Sequence, residues 1–215
     1  MLVEYSNRET LFDELADRVA EELSSALSSK GWASLSVPGG TTPQPLFERL
    51  SEKPIDWAKI TVCLNDERIV PVTSDRSNTA LVKESLLKSH AASAEFMNIL
   101  TIPDDISDVL PLDVLVSGMG TDLHTASLFP DAPELARALA ASAPPVLKMT
   151  PPSGGEDRVT LTAPVLGTAR NKHILITGPA KKEAFRRAEA ATRDAEAPIR
   201  VVLIANPPAM VHYAE

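Results

Sequence analysis

The chain has little cysteine and no long hydrophobic run. Its one cysteine among 215 residues, Cys63, cannot form an intramolecular disulfide, and its apolar neighbours predict a buried thiol. No apolar run approaches the roughly 20 residues that a membrane-spanning helix needs. The first ten residues lack the basic segment and following apolar block of a secretory leader. These absences predict a soluble, cytoplasmic protein with no membrane association.

An excess of positive charge is also absent. The 21 Lys and Arg residues are outnumbered by 29 Asp and Glu residues, which gives a net charge of −8 and a pI of about 5.1. A broad basic surface for nucleic acid is therefore excluded, and we expect no nucleic-acid partner. An anionic ligand would need a local cluster of Lys and Arg side chains, because the overall field repels it.

The signatures of several catalytic classes are missing. The four histidines show no metal-ligand spacing with one another or with Cys63, so no metal site is predicted. Neither the P-loop pattern G-x-x-x-x-G-K-[ST] nor the serine-hydrolase pattern G-x-S-x-G occurs.

Hydrophobic periodicity predicts a long first helix. Over residues 8–30, apolar side chains recur every four positions, and charged residues fill the opposite side. Gly31 is the expected C-terminal end of this helix. The apolar stripe consists of Leu11, Leu15, Val19, Leu23 and Leu27.

Short apolar runs alternate with helical patterns along the rest of the chain. Several runs are apolar at consecutive positions, as in parallel strands that are buried on both faces. The predicted strands are 33–37, 60–64, 98–102, 112–117, 173–177 and 201–205, and the predicted helices are 43–51, 79–90, 132–141 and 181–192. This alternation predicts a single α/β domain over residues 1–215, with three α/β/α layers and a mostly parallel, Rossmann-like sheet.

One segment departs from this alternation. Residues 143–157 are rich in Pro and Gly, and the next run, from Arg158 to Thr162, is β-prone with alternating apolar and polar residues. We therefore predict a loop and a small antiparallel excursion near residues 143–163.

The first candidate site is a glycine-rich turn between a predicted strand and a predicted helix. Gly39 and Gly40 permit a sharp turn and close approach of a ligand. Thr41 and Thr42 add hydroxyls beside the free amides of the helix start, which suits a phosphate. The alternative is an ordinary glycine turn with a threonine cap.

The second candidate site is the charged stretch Asp66-Glu67-Arg68, which directly follows the predicted strand 60–64. Open α/β sheets bind ligands outside the carboxyl ends of their strands, so these side chains are candidates for substrate contact. The alternative is a solvated loop. Ser77 and Asn78 further along could cap the next helix.

The third candidate site follows the predicted strand 112–117. The run from Gly118 to Leu123 nearly matches the dinucleotide fingerprint G-x-G-x-x-G, but Leu123 replaces its third glycine. The acidic ribose partner expected about 20 residues further on is also absent, so we reject this interpretation. Asp122 and His124 remain at a strand end, where a neutral imidazole is a natural general base. A structural histidine is the alternative.

The fourth candidate site consists of Arg158 and Lys181. Lys181 lies at another strand-to-helix turn, just after Gly178 and Pro179. Together the two cations could complete a phosphate site in an otherwise acidic protein. Each alone could equally be a solvated surface charge.

Taken in order, these segments resemble the 6-phosphogluconolactonases of the glucosamine-6-phosphate isomerase/6-phosphogluconolactonase family. The longest and most specific motif is the run from Gly118 to Pro130. The supporting motifs are Pro38-Gly-Gly-Thr-Thr-Pro, Asn65-Asp-Glu-Arg-Ile-Val-Pro with Ser77-Asn78, Arg158-Val-Thr-Leu-Thr and Gly178-Pro-Ala-Lys.

The resemblance implies a fold shared with glucosamine-6-phosphate deaminase and ribose-5-phosphate isomerase. It also implies hydrolysis of 6-phospho-D-glucono-1,5-lactone in the oxidative pentose phosphate pathway, with no metal and no organic cofactor. The expected partner is this small-molecule lactone, and the expected assembly is a monomer or a small homo-oligomer.

The resemblance also assigns roles to residues. The family's catalytic histidine corresponds to His124. Our mechanistic hypothesis adds that His124 is the general base, that Asp122 orients it, and that Arg68 or a backbone amide of residues 118–122 stabilises the oxyanion. The substrate-binding residues become Gly39, Gly40, Thr41, Thr42, Asp66, Gly120, Arg158 and Lys181. One departure from the family is Leu123, where a glycine is usual. A positive φ at this leucine would cost about 1–2 kcal/mol.

Two alternatives remain on the same scaffold. Aldose–ketose isomerases and deaminases of this group carry Asp-Glu-Tyr where this chain has Asp66-Glu67-Arg68, and a glutamate soon after the histidine. The matching stretch here, Ser127 to Pro130, has no carboxylate. A sugar-phosphate sensor would carry a DNA-binding segment, which this acidic chain does not display.

Overall fold

The computed structural model describes residues 1–101 and 106–215. The helices in these ranges are α1 (Arg8–Lys30), α2 (Gln44–Ser51), α3 (Asn78–Ser85), α4 (Leu135–Leu139), α5 (Ala163–Thr168), α6 (Pro179–Ala190) and α7 (Arg200–Leu203). The strands are β1 (Leu2–Glu4), β2 (Ala33–Val37), β3 (Ile60–Leu64), β4 (Asp66–Arg68), β5 (Glu95–Met97), β6 (Val114–Gly118), β7 (Val146–Met149), β8 (Arg158–Leu161), β9 (Asn171–Thr177) and β10 (Met210–Ala214).

The main sheet has seven strands in the order β1-β10-β9-β6-β2-β3-β5, and every neighbouring pair is parallel. From β2 the chain winds outward through β3 and β5, then returns to β6 on the other side of β2. The winding therefore reverses between β2 and β6, and ligands bind outside the carboxyl ends of strands at such a reversal. Flanking helices cover the sheet, so the predicted α/β fold with a mostly parallel sheet is confirmed.

A second, antiparallel sheet of three strands in the order β4-β8-β7 lies beside the carboxyl ends of the main sheet. In its register Asp66 pairs with Thr160, and Arg68 pairs with Arg158. The predicted antiparallel excursion near residues 143–163 is confirmed. It brings two segments separated by 90 positions (158 minus 68) into contact at the edge of the site.

Helix α1 follows its sequence signals. The Asn7 side chain accepts a hydrogen bond from the Thr10 amide at 2.9 Å, and Gly31 ends the helix with a φ of +82°. The predicted stripe faces the core through Leu11, Leu15, Val19 and Leu23, and Leu27 is partly buried.

Two strand predictions are wrong. Residues 201–205 lie in and after helix α7, where the Leu203 amide bonds to the Ile199 carbonyl at 2.9 Å. Short apolar runs do not distinguish a strand from a buried helical turn. The strand of this region is β10, in which buried His212 breaks the apolar pattern.

The prediction of a strand at 98–102 is also displaced. Strand β5 comes earlier, at Glu95–Met97, and residues 98–101 form a turn after it. Residue 102 lies outside the described residues. Strand β5 mixes polar and apolar residues, so it does not form an apolar run in the sequence. An edge strand has one neighbour and needs fewer apolar side chains.

The carboxyl ends of the central strands are tied together by Asn65. Its Oδ1 accepts from the Ser36 hydroxyl of β2 at 2.6 Å, and its Nδ2 donates to the Val116 carbonyl of β6 at 2.8 Å. The Asn65 carbonyl accepts from the Leu161 amide of β8 at 2.8 Å. One buried residue therefore fixes both sheets relative to each other at the site.

The loop after β6 turns tightly back toward the sheet. The Gly120 amide donates to the His124 carbonyl at 2.9 Å, and the Ser117 and Thr125 hydroxyls lie 2.6 Å apart. Leu123 has a φ of +72°, although its side chain is only 8% exposed. The leucine therefore combines a costly left-handed backbone with a buried side chain.

Cys63 is buried in β3, as predicted, and burial raises the pKa of its thiol to about 11.

Within the two described ranges, no helix is long and apolar enough to cross a membrane.

The left-handed backbone of Leu123 predicts an unusual order of stability. Leu123→Ala should lower the free energy of unfolding by about 2–5 kcal/mol, because it removes a buried side chain. Leu123→Gly should be about 1 kcal/mol more stable than Leu123→Ala, since glycine adopts a positive φ without steric cost. Urea unfolding monitored by circular dichroism measures both.

The matched control is Leu23, which is fully buried within α1. There the alanine variant should be more stable than the glycine variant by about 1 kcal/mol. If Leu123→Gly were no more stable than Leu123→Ala, the left-handed conformation would carry no cost.

Candidate active site

A cavity of about 390 Å³ opens at the carboxyl ends of the central strands. Segments that follow β2, β3, β6 and β9 line it, together with residue Arg158 of β8. The predicted site residues that line it are Gly39, Gly40, Thr42, Asp66, Arg68, Gly120, His124, Arg158 and Lys181. Thr41 and Asp122 are outside the lining, and Asp122 reaches the cavity only through His124.

His124 and Asp122 form a hydrogen-bonded pair. Nδ1 of His124 lies 2.6 Å from Oδ1 of Asp122, and this bond holds the pKa of the Asp122 carboxyl below its ordinary value, against the effect of partial burial. A carboxylate accepts the hydrogen of Nδ1, so the lone pair of the neutral ring is on Nε2. The His124 side chain is 31% exposed.

Gly120 makes room for this pair. A Cβ atom at position 120 would lie 2.1 Å from Oδ1 of Asp122 and 2.2 Å from Nδ1 of His124. The second glycine of the Gly118–Gly120 motif therefore lets the Asp122 and His124 side chains lie close to the backbone. It is not needed there for the approach of a dinucleotide. On the other side, the Phe129 ring packs against the imidazole with centroids 4.9 Å apart.

Asp66 is a buried carboxyl group at the cavity wall, only 8% exposed. Burial raises its pKa, and a hydrogen bond from the Ser127 hydroxyl at 2.5 Å opposes the rise, as do the charges of Arg158, His124 and Arg68. The Ser127 amide donates to the Thr160 hydroxyl at 3.1 Å. Ser127 thus joins the histidine loop to strands β4 and β8 of the small sheet.

Glu67 is fully buried and faces away from the cavity, toward the start of α3. Its carboxylate accepts from the Asn78 amide at 2.9 Å, the Thr79 amide at 2.7 Å and the Ser77 hydroxyl at 3.1 Å. It caps the helix and closes the loop between Arg68 and Ser77. The interpretation of the charged stretch as a solvated loop is therefore wrong.

The Arg68 guanidinium lies between the small sheet and α3. Its Nη1 donates to the Arg76 carbonyl at 2.6 Å and to Oδ1 of Asn78 at 3.0 Å. Its neighbour across the antiparallel register, Arg158, also lines the cavity. Burial lowers the pKa of Arg158, and the nearby Asp66 raises it.

The glycine turn after β2 forms one rim of the cavity. Gly40 has a φ of +88°, and a Cβ atom on Gly39 would lie 2.1 Å from the Asn78 side chain. Throughout the described ranges, no acceptor is bonded to the amides of Gly39, Gly40, Thr41 and Thr42. These amides precede α2, where anions bind favourably.

Lys181 enters the cavity from the first turn of α6. Gly178, with a φ of +81°, and Pro179 start this helix. The Lys181 ammonium donates to the Met119 carbonyl, and burial lowers its pKa, partly offset by Asp122. A cation from α6, the helix that follows β9, and the histidine loop that follows β6 therefore meet at one wall.

Sequence reasoning missed three residues that shape this site. Phe129 and Ser127 were part of a recognised motif, but neither was given a role. The sequence suggests a helix cap at Ser77 and Asn78 and places both in a supporting motif, but it assigns Asn78 no role in the site. In the structure Ser77 caps α3 and the Asn78 side chain lines the cavity. Only the three-dimensional contacts of Asn78 reveal the difference.

Among the residues that the structure describes, no group of three or more His, Cys, Asp or Glu side chains could hold a metal ion.

Comparisons with known proteins agree with this geometry. The profile of the family described as glucosamine-6-phosphate isomerases/6-phosphogluconolactonase matches residues 6–211. The 6-phosphogluconolactonase of Rhizobium meliloti is 41% identical over 212 residues, which cover 93% of this chain and 91% of the relative. That of Mesorhizobium japonicum is 42% identical over 216 residues, with 94% and 90% covered.

The fold comparison gives the same result. The crystal structure of a 6-phosphogluconolactonase from Shewanella baltica superimposes with a TM-score of 0.92 at 32% identity, and covers 100% of this chain and 97% of that chain. The match extends over the strands that build the cavity as well as the motifs within it. This chain therefore belongs to the glucosamine-6-phosphate isomerase/6-phosphogluconolactonase family.

Proposed function

We propose that this protein hydrolyses 6-phospho-D-glucono-1,5-lactone to 6-phospho-D-gluconate in the oxidative pentose phosphate pathway. The names of its relatives, at up to 42% identity, support this reaction. The observation that carries the proposal is the His124–Asp122 pair at the wall of a cavity that Arg68, Arg158 and Lys181 also line. Hydrolysis of a phosphorylated lactone requires a general base for the attacking water and cations that bind the phosphate.

In the first step, Nε2 of His124 accepts a proton from water as the water oxygen forms a bond to C1. A lactone carbonyl is already activated, so no covalent nucleophile is required. Asp122 keeps the ring in the tautomer with the lone pair on Nε2, and stabilises the imidazolium that forms. This arrangement supplies general-base catalysis, typically worth about 10²–10⁴-fold.

The attack moves negative charge onto the former carbonyl oxygen, and we assign its stabilisation to Arg68. Among the backbone amides of residues 118–122, the alternative donors, that of Gly120 already donates to the His124 carbonyl at 2.9 Å. A guanidinium at the cavity wall acts on the charge that develops in the transition state.

In the second step, the tetrahedral intermediate collapses and the bond between C1 and the ring oxygen breaks. The protonated His124 gives its proton to this oxygen, which becomes the hydroxyl on C5. The product acid then ionises in solvent. Water is the only co-reactant, and the base returns to its neutral form.

The phosphate is held by the glycine turn and by two cations, Arg158 and Lys181. The unbonded amides of Gly39, Gly40, Thr41 and Thr42 provide donors, while Arg158 and Lys181 provide charge. Asp66, buried beside them, accepts from a sugar hydroxyl. This anchor positions C1 against His124 rather than taking part in the chemistry.

The isomerase or deaminase alternative on this scaffold is less well supported. Among the described residues, Asp66 is the one carboxylate that lines the cavity. The segment after the histidine offers Ser127 and Phe129, whose contacts are structural. Proton transfer between adjacent carbons would lack a second carboxylate.

The first prediction concerns activity and its base. Lactone formed by glucose-6-phosphate dehydrogenase should open far faster with the protein than spontaneously, as followed through 6-phosphogluconate dehydrogenase. His124→Ala should lower kcat by about 10²–10⁴-fold, because the general base is lost. Asp122→Asn should lower kcat less.

His90→Ala is the matched control, since His90 is exposed and remote from the cavity. It should keep the parent rate. A folded His124→Ala variant with the parent rate would rule out this mechanism, and a folded parent without acceleration would rule out the function.

The second prediction concerns the phosphate anchor. Lys181→Ala should raise KM for the phosphorylated lactone about 10- to 100-fold, because a charge-assisted hydrogen bond contributes about 1.5–3 kcal/mol. It should change hydrolysis of unphosphorylated glucono-1,5-lactone little. Lys182→Ala is the control, since Lys182 pairs with Glu4 outside the cavity.

The third prediction uses the lowered pKa of Lys181. As pH rises, this ammonium loses its proton earlier than an ordinary lysine, so affinity for 6-phosphogluconate should fall at a lower pH than the titration of an ordinary lysine would predict. Lys181→Arg stays charged and should keep its affinity there. Isothermal titration calorimetry from pH 7 to about 10 measures both. Parallel falls in the two proteins would contradict a Lys181–phosphate contact.

The fourth prediction concerns the buried carboxyl of Asp66. The pKa of the Asp66 carboxyl is higher in the folded protein than in the unfolded chain, so its ionisation opposes folding. The free energy of unfolding therefore falls as pH rises through the folded pKa. Asp66→Asn should therefore have a higher Tm than the parent at neutral pH, with the difference vanishing in acid. Equal Tm differences at pH 3 and pH 7 would contradict it.

A further inference from the structure

We propose that Asn78 is a positioning residue that holds the Arg68 guanidinium ready for the oxyanion through a neutral acceptor, without a salt bridge. This inference rests on the proposed function and adds a residue that contributes through Arg68. It is carried by the contacts of one buried amide side chain.

The Asn78 side chain uses both ends of its amide. Its Oδ1 accepts from Nη1 of Arg68 at 3.0 Å, and its Nδ2 donates to the backbone carbonyl of Asp66 at 3.0 Å. The residue is only 4% exposed, so these bonds face little competition from water. An amide suits the position because it combines an acceptor and a donor.

Asn78 is itself held rigidly. Its backbone amide donates to Oε1 of Glu67 at 2.9 Å, and Oε2 of the same carboxylate accepts from Thr79 at 2.7 Å. Its side chain packs against Gly39 so closely that a Cβ atom there would lie 2.1 Å away. Because Asn78 is fixed against α3 and the glycine turn, its side chain holds the Arg68 guanidinium in a fixed position relative to both.

The effect on Arg68 is to occupy one side of its guanidinium. Nη1 has two hydrogens, and its two acceptors are the Arg76 carbonyl and Asn78. In the described ranges, Nε is without a hydrogen-bond partner and Nη2 makes no hydrogen bond. These two nitrogens share an edge of the guanidinium, so the unoccupied donors point in one direction.

The acceptors that hold Arg68 are both neutral. A carboxylate in place of Asn78 would fix the guanidinium equally well, but it would also cancel its charge. No Asp or Glu among the described residues forms a salt bridge with Arg68. Because no carboxylate is paired with the guanidinium, its charge can act on the negative charge that develops at C1.

The test is a double-mutant cycle between Asn78 and Arg68, measured as kcat and KM for the phosphorylated lactone. Asn78→Ala should lower kcat about 10- to 100-fold in the parent and change KM by less than about threefold, because oxyanion contacts are made in the transition state. In the Arg68→Ala background, the same substitution should change kcat by less than about twofold.

Two further variants distinguish an effect on the orientation of Arg68 from an effect on its charge, and either of these from a defect in folding. Asn78→Asp keeps an acceptor for Arg68 but neutralises it, so kcat should fall at least as far as in Asn78→Ala. Thr79→Val is the control, because the buried Thr79 hydroxyl has no partner in the described part of the chain. It should keep the parent kcat. If Asn78→Ala fails to fold, Asn78→Ser takes its place in the cycle.

The outcomes are distinct. Equal losses of kcat from Asn78→Ala in both backgrounds would overturn the inference, as would an unimpaired Arg68→Ala or a fully active Asn78→Asp. The proposed function fails separately, if the folded parent itself does not accelerate lactone opening.

Discussion

The side chain of Asn65 holds together the carboxyl ends of the strands on which the cavity depends. Its hydrogen bonds reach Ser36 in β2 and Val116 in β6, and its backbone carbonyl reaches Leu161 in β8. The glycine turn, the histidine loop and the small sheet each begin within a few residues of these contacts. A buried polar group that satisfies all its hydrogen bonds specifies one arrangement, because any shift would leave it unpaired.

Around this junction, an acidic protein builds a local positive field. Three carboxylates near the site serve distinct purposes: buried Glu67 orders backbone amides, buried Asp66 faces the cavity, and the more exposed Asp122 supports the imidazole. Arg158 and Lys181 are both partly desolvated, which lowers the pKa of each. Their charges act strongly because little water surrounds them. The site thus attracts an anion that the rest of the surface repels.

The sequence was sufficient where one local signal decided the structure. Strands β2 and β3 are short, largely apolar segments and lie at the predicted residues, whereas β10 contains buried His212 and Tyr213 and does not stand out in the sequence. The motifs identified most of the cavity lining. The role of Asn78 was out of reach, because it depends on Gly39 and Arg68, which no local pattern relates to it.

Strand β1 pairs only with β10 in the described sheet, so the first strand of the chain depends on the last. The Val211 amide donates to the Met1 carbonyl at 2.9 Å, and Tyr5 donates from its amide to Tyr213 at 2.9 Å. A ribosome makes β1 long before its partner exists. During synthesis, residues 2–4 must wait unpaired while the central strands and their loops can already assemble. The edge of the sheet is therefore completed only after β10 has been translated.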